Sequence, residues 1–181
     1  FDLATEKEIN DPNAMCLSTV DDKNTPHSRM VLLKDYNDEG FIFYTNYESN
    51  KGNDIIKNAN VCLNFHWKSL LRQIRIEGKV EKVSKETSDK YFNSRHYLSR
   101  IGAWASNQSK VLKSRDDLEN KIEFYKNKYP EKENFPRPDY WGGFIVKYSK
   151  IEFWEDMPHR IHKREVFEFK DNDWVSYTLS P

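Results

Sequence analysis

Glycine is scarce in this chain: there are six in 181 residues, and none sits in a Gly-x-Gly-x-x-Gly or a Gly-Lys-Ser/Thr loop. Nucleotide binding through either of those phosphate-cradling loops is therefore not expected. Cysteine is scarcer still. Cys16 and Cys62 are far apart, each inside an apolar run, and read as buried free thiols in a reducing, cytoplasmic compartment rather than as a disulfide. Charge of one sign is also lacking, because 29 Lys and Arg balance 29 Asp and Glu. No global field exists to hold nucleic acid or an anionic membrane, so any anion site has to be local. No run approaches the roughly 20 apolar residues that cross a bilayer, and no signal-peptide pattern is present. The chain opens on Phe1, and its natural N-terminal segment is read as incomplete.

What is present in quantity is aromatic side chain, 14% of the residues. That composition suits a large core, a subunit interface or surfaces for a planar ligand, and does not choose among them. Short β-like runs dominate: Ala14–Val20, Arg29–Leu33, Phe41–Thr45, Val61–Trp67, Leu71–Val83, Gly143–Tyr148, Ile151–Trp154, Val166–Phe169 and Val175–Leu179. The clearest is Leu71–Val83, where Ile74, Ile76 and Val80 alternate with charged residues, as in a strand with one buried and one wet face. Turn chemistry lies at Asp21–Asn24, Asn37–Gly40 and Lys170–Asp173. Helices are expected over Ser49–Asn58, Ser84–Phe92 and Ser114–Tyr129, the last with Ser114 and Asp117 at capping-box spacing and Pro130 as its stop. Asn127–Pro138 reads as a surface loop. Many short strands with few helices predict one mainly β domain over residues 1–181, an antiparallel barrel with peripheral helices.

Several clusters carry polar chemistry. Arg29 and Lys34 bracket the apolar run Met30, Val31, Leu32 and Leu33, which fits two strand-end charges in water or two cations for a phosphate. Phe43-Tyr44-Thr45-Asn46 leads into a helix start bearing Lys51, either a capped surface helix or a phosphate cradle. Tyr91, Arg95 and Ser99 recur every four residues, so a continuous helix places them on one face. Gln73 interrupts the charged face of its strand, and Gln108-Ser109 adds neutral donors. Arg160, His162 and Arg164 alternate, and an extended strand points all three to one side. Such a face repels itself unless something anionic or electron-rich sits against it, so it reads as a ligand-facing surface, with a solvated strand as the alternative. No metal is expected, because Cys16 and Cys62 are not spaced as ligands beside His159 and His162.

Taken in order, RMVLLK (29–34), FYTN (43–46), YFNSR (91–95), IGAW (101–104), NQS (107–109), YWGGF (140–144), IEFW (151–154) and HRIHKR (159–164) resemble the pyridoxamine 5′-phosphate oxidase family nearly end to end. The resemblance implies an FMN-binding split barrel, antiparallel and Greek-key-like with flanking helices. It implies a homodimer with active sites at the subunit interface, with residues 140–181 as the dimerisation and active-site region. The implied reaction oxidises pyridoxamine 5′-phosphate and pyridoxine 5′-phosphate to pyridoxal 5′-phosphate with O2, releasing H2O2. FMN is then held by Arg29, Met30, Val31, Leu32, Leu33, Lys34, Tyr44, Thr45, Lys51, Gln73, Gln108, Ser109, Trp154 and Arg164. The substrate is held by Lys34, Tyr91, Arg95, Ser99, Arg160 and His162, the last two also as catalytic residues. One departure is Asn50, where the family usually has Arg. Another flavin oxidoreductase on the same barrel needs no Tyr91/Arg95/Ser99 trio with Arg160 and His162, and a non-catalytic FMN or pyridoxal phosphate binder consumes no oxygen.

Overall fold

A computed structural model describes residues 1–130 and 134–181. Its elements run α1 (Asp2–Lys7), β1 (Ala14–Val20), β2 (Pro26–Leu32), β3 (Asp35–Asn37), β4 (Gly40–Asn46), α2 (Asn50–Lys57), β5 (Asn60–Trp67) and β6 (Arg72–Lys82). Then follow α3 (Lys85–Ser94), α4 (Tyr97–Ala105), α5 (Arg115–Lys128), β7 (Trp141–Glu155), β8 (Lys163–Lys170) and β9 (Asp173–Thr178). All strands join one antiparallel sheet in the order β2-β1-β5-β6-β7-β4-β3, with β8 on β7 and β9 on β8. The two ends of that order, β2 and β3, are consecutive in the chain and separated only by Leu33 and Lys34. The sheet therefore has to curl until its edges meet, and the expected antiparallel barrel results. Lys34 lies on the seam, its N–H donating to the Ile42 carbonyl at 2.9 Å.

The period of two determines which side chains enter the barrel. Met15, Leu17 and Thr19 on β1, Leu63 and Phe65 on β5, and Ile76 on β6 are buried, while their sequence neighbours face outward. Phe43 and Phe144 meet across β4 and β7 with ring centroids 5.7 Å apart. Phe43→Ala removes a fully buried ring and is expected to cost about 3–5 kcal/mol, seen as a lower urea midpoint at unchanged slope. A second cluster, Phe92, Ile101, Phe135 and Trp141, seats α3 and α4 against the start of β7.

Some local expectations are corrected. The two segments 143–148 and 151–154 are one strand, β7, because a bulge opposite Glu77 and Gly78 absorbs Ser149 without ending the ladder. Strand β2 starts earlier than expected, at Pro26. The helix through Tyr91, Arg95 and Ser99 is broken: Arg95 and His96 are extended, so α3 ends at Ser94 and α4 begins at Tyr97. The Ser94 hydroxyl donates to the Tyr91 carbonyl at 2.8 Å, a local bond that competes with the helical ladder. In the expected loop 127–138, helix α5 persists to Lys128 and residues 131–133 lie outside the described residues. Phe135 is buried and stacks on Tyr129 at 4.7 Å, so the segment is partly core. Both cysteines are free but only half-buried, on outward positions of β1 and β5. The Ser114 cap on α5 and the β8–β9 turn are as expected. Asp171 and Asn172 adopt φ of 52° and 67°, the left-handed pair that a two-residue hairpin requires.

Candidate active site

Where the seam closes, the sequence clusters converge. A cavity of about 310 Å³ is lined by Met30, Val31, Leu32, Lys34, Tyr44, Thr45, Lys51, Tyr91, Arg95, Gln108 and Trp141. A second cavity of about 310 Å³ shares Arg95, Gln108 and Trp141 and adds Ser99. The broken helix thus still brings Tyr91, Arg95 and Ser99 together, around a kink rather than along one face. A larger cavity of about 610 Å³ lies on the sheet's outer side near Cys62, Lys79 and Glu81, away from these residues.

Helix α2 supplies the cationic end. Ser49 caps it through a bond from the Gly52 N–H, leaving a helix start beside Lys51. The Lys51 ammonium is buried and donates to Thr45 Oγ1 at 3.3 Å and Ser49 Oγ at 3.4 Å; Thr45 in turn reaches Gln108 at 3.5 Å. Burial, then the nearby Arg29 charge, pushes the Lys51 pKa down. Arg29 stands behind it. Its guanidinium donates to the Leu17 carbonyl at 3.2 Å and Thr19 Oγ1 at 2.7 Å, and lies 3.7 Å from Asp54. Thr19 also donates to Asp54 at 2.7 Å. These two supports were invisible in sequence, since Thr19 and Asp54 lie on different elements with no shared motif.

An aromatic stack forms the opposite wall. The Tyr44 ring lies 3.8 Å from Tyr91 and 5.7 Å from Trp141. Gly143, paired with Tyr44 in register, permits this approach, because a Cβ there would stand 2.8 Å from the Tyr44 ring. Burial, with Tyr91 second, pushes the Tyr44 phenol up to about 12, so it stays a neutral donor. The Arg95 guanidinium stacks on Trp141 at 4.5 Å, and its buried Nη1 has no hydrogen-bond partner among the described residues. An unpaired buried donor, on a side chain that lines a cavity together with Lys34, suits a phosphate oxygen. Trp141 lay within the YWGGF string, yet its role as the platform for Arg95 needed the fold.

The remaining sequence-selected residues gather elsewhere. Gln73, Trp154 and Arg164 face one another across β6, β7 and β8 in register. The His162 ring lies 4.6 Å from Trp154; its Nδ1 accepts from the Met157 N–H at 3.2 Å and lies 2.9 Å from Asp156. The expected common face of Arg160, His162 and Arg164 does not form. Pro158 cannot extend the ladder, the chain makes a one-turn 3₁₀ segment at Pro158–Arg160, and only Arg164 is in a strand. His159 and Arg160 take φ of 59° and 63°, uncommon for non-glycine residues, and Arg160 projects from this exposed corner. Ser109 sits in an exposed loop beside Gln108 with φ of 68°, and Leu33 belongs to the core. From Gly143, beside Tyr44, to Trp154 is roughly 35 Å of strand contour. Within one chain the selected residues therefore form two groups near opposite ends of β7.

Glu152, buried between Arg75 and Arg164, was not singled out from sequence. Burial would raise its pKa, but the Arg164 bond and the Arg75 charge outweigh it and hold the carboxyl below the usual range. The resulting stability is present above the unfolded carboxylate pKa and is lost as pH falls through the lower folded value. Acidification below about pH 4 should lower the urea midpoint of the wild type more than that of Glu152→Gln.

Comparison with known proteins agrees along the chain. The family model "Pyridoxamine 5'-phosphate oxidase" matches residues 1–128, and "Pyridoxine 5'-phosphate oxidase C-terminal dimerisation region" matches 141–181. The chain is 52% identical over 179 residues to a pyridoxine/pyridoxamine 5′-phosphate oxidase of Pelagibacter ubique, covering 98% of this chain and 86% of the relative. It is 55% identical over 181 residues to one of Bartonella quintana, covering 98% and 87%. Among solved structures, PhzG of Burkholderia lata superposes with a TM-score of 0.91 at 26% identity, over 99% of this chain and 86% of that one. A pyridoxamine 5′-phosphate oxidase-related, FMN-binding protein of Nostoc punctiforme shares the fold, with a TM-score of 0.79 at 13% identity over 99% and 95%. With a family model over most of its length and relatives more than half identical along nearly all of it, the chain belongs to the pyridoxamine 5′-phosphate oxidase family.

Proposed function

We propose that this protein oxidises pyridoxine 5′-phosphate and pyridoxamine 5′-phosphate to pyridoxal 5′-phosphate on bound FMN, as a homodimer. The observation that carries the reading is the seam cavity in which Lys34, Lys51, Tyr91 and Arg95 converge on one small volume. Its chemistry fits two phosphate monoesters. The start of α2, Lys51, Thr45 and Gln108, backed by Arg29, suit the FMN phosphate. Lys34, Tyr91, Arg95 and Ser99 suit the phosphate of the vitamer.

Bound FMN supplies the hydride acceptor, with O2 as final oxidant giving H2O2 and, from the amine, ammonia. The chain's residues supply placement. The phosphate grip anchors the substrate at a point remote from the reacting carbon, so its ring is held in one orientation. Arg160 contributes a positive charge beside the reacting group, and the His162 imidazole offers a ring nitrogen that can accept a proton there. Gln73, Trp154, Arg160, His162 and Arg164 stand far along β7 from the seam cavity. We therefore place each site at the subunit interface, one group from each protomer, with 140–181 as the dimerisation part of a single domain. The free thiols favour the cytoplasm; among the described residues no helix is long and apolar enough to cross a membrane.

The direct test loads the purified protein with FMN and adds pyridoxine 5′-phosphate in air. Pyridoxal 5′-phosphate and peroxide are expected in equal amounts. FMN binding without aldehyde formation would reduce the protein to a flavin carrier.

A further inference from the structure

The guanidinium of Arg164 is held from two directions. Its Nε donates to Glu152 Oε1 at 2.7 Å and its Nη1 to the Ser180 carbonyl at 3.0 Å; no described residue bonds Nη2. The backbone adds a third tie, since the Leu179 N–H donates to the Arg164 carbonyl at 3.0 Å and so carries segment 179–180 alongside β8. The other Glu152 oxygen lies 3.2 Å from Arg75 Nη2. Only 3% of the Glu152 side chain is exposed, against 38% for Arg75 and 26% for Arg164.

This arrangement is costly for stability alone. A carboxylate taken out of water needs full compensation, and an apolar residue would fill the same place at less cost, as Val166 does opposite it. The two arginines, by contrast, are wet enough to manage without an acid. What the buried carboxylate changes is the freedom of Arg164. An arginine carries much rotamer entropy, and one tied at Nε and Nη1 has already lost it before any ligand arrives. Nη2 is left without a bond among the described residues, on a residue whose strand position pairs with Trp154 and, across β7, with Gln73.

We infer that Glu152 is a positioning residue of the flavin site: it fixes Arg164, with the Ser180 carbonyl as second stop, so that Nη2 meets FMN without reorganisation. The inference rests on the proposed role of Arg164 in binding FMN.

FMN titrations of the apoprotein, followed by flavin fluorescence, test it in Glu152→Gln, Arg164→Ala, the double variant and Arg75→Gln. Glu152→Gln should raise the Kd about 10-fold, Arg164→Ala at least as much, and the double variant no further than Arg164→Ala alone. Arg75→Gln breaks the other ion pair and leaves the Arg164 bond, so it should lower Tm while Kd stays within about twofold. If Glu152→Gln does not fold, Glu152→Asp keeps the charge, falls short of Arg164 and should raise Kd likewise. An unchanged Kd in Arg164→Ala removes that residue from the flavin site and this inference with it. A weakened Arg164→Ala with Glu152 effects that are absent, fully additive, or matched by Arg75→Gln overturns the inference alone.

Discussion

Arg95→Ala raises KM for pyridoxine 5′-phosphate by about 100-fold and leaves kcat within a few-fold, the loss expected for one charge-assisted bond of about 2–3 kcal/mol. The guanidinium is stacked on Trp141, carries a buried nitrogen without a partner among the described residues, and belongs to a side chain that lines a cavity with Lys34 and Tyr91. It acts far from the carbon that loses hydride, so it binds ground and transition states alike, and that kind of contact appears in KM. Unphosphorylated pyridoxine supplies the control, because wild type and variant should handle it equally poorly. Steady-state kinetics with both substrates decide the matter. An unchanged KM for the phosphorylated substrate withdraws the phosphate assignment and leaves Arg95 as part of the wall around Trp141.

The second large effect is intersubunit rescue. Arg160→Ala should lower turnover as well as affinity, so at low substrate both it and Arg95→Ala are nearly inactive as homodimers. Mixed after dissociation and reassociation, or produced together with separate tags, they form heterodimers in which one site carries both lesions and the other carries neither. With random pairing, about a quarter of wild-type kcat/KM should return. If each site were built within one chain, the mixture would show only the average of the two variants. The prediction follows from the separation along β7 of Gly143, which pairs with Tyr44, and Trp154, and it tests the interface without a ligand-bound structure.

The expected elements were recovered where their causes are local. Ser114 caps α5 through a bond to a residue three positions on, and Asp171-Asn172 turns the chain because those side chains tolerate left-handed backbone. The strand Arg72–Lys82 follows from alternation within itself. Failures occurred where a local pattern met a competing contact. The four-residue spacing of Tyr91, Arg95 and Ser99 suggested a helix face, yet the extended residues Arg95 and His96 replaced it with a kink around a cavity. The alternation of Arg160, His162 and Arg164 suggested a strand face, yet Pro158 put a turn there.

The sequence by itself determined the class of element at most positions and the family, and it supplied the candidate side chains for the chemistry. Those depend on residue type and on neighbours a few positions away. Tertiary structure alone decided which of these side chains meet. The curl that puts Lys34 on the seam, the Thr19–Asp54 support for Arg29, the Trp141 platform and the Glu152 hold on Arg164 arise from strand register and from residues on separate elements. The splitting of the chosen residues into two groups has the same origin. One strand, β7, borders β4 at its start and β8 at its end, and its length keeps the two groups apart.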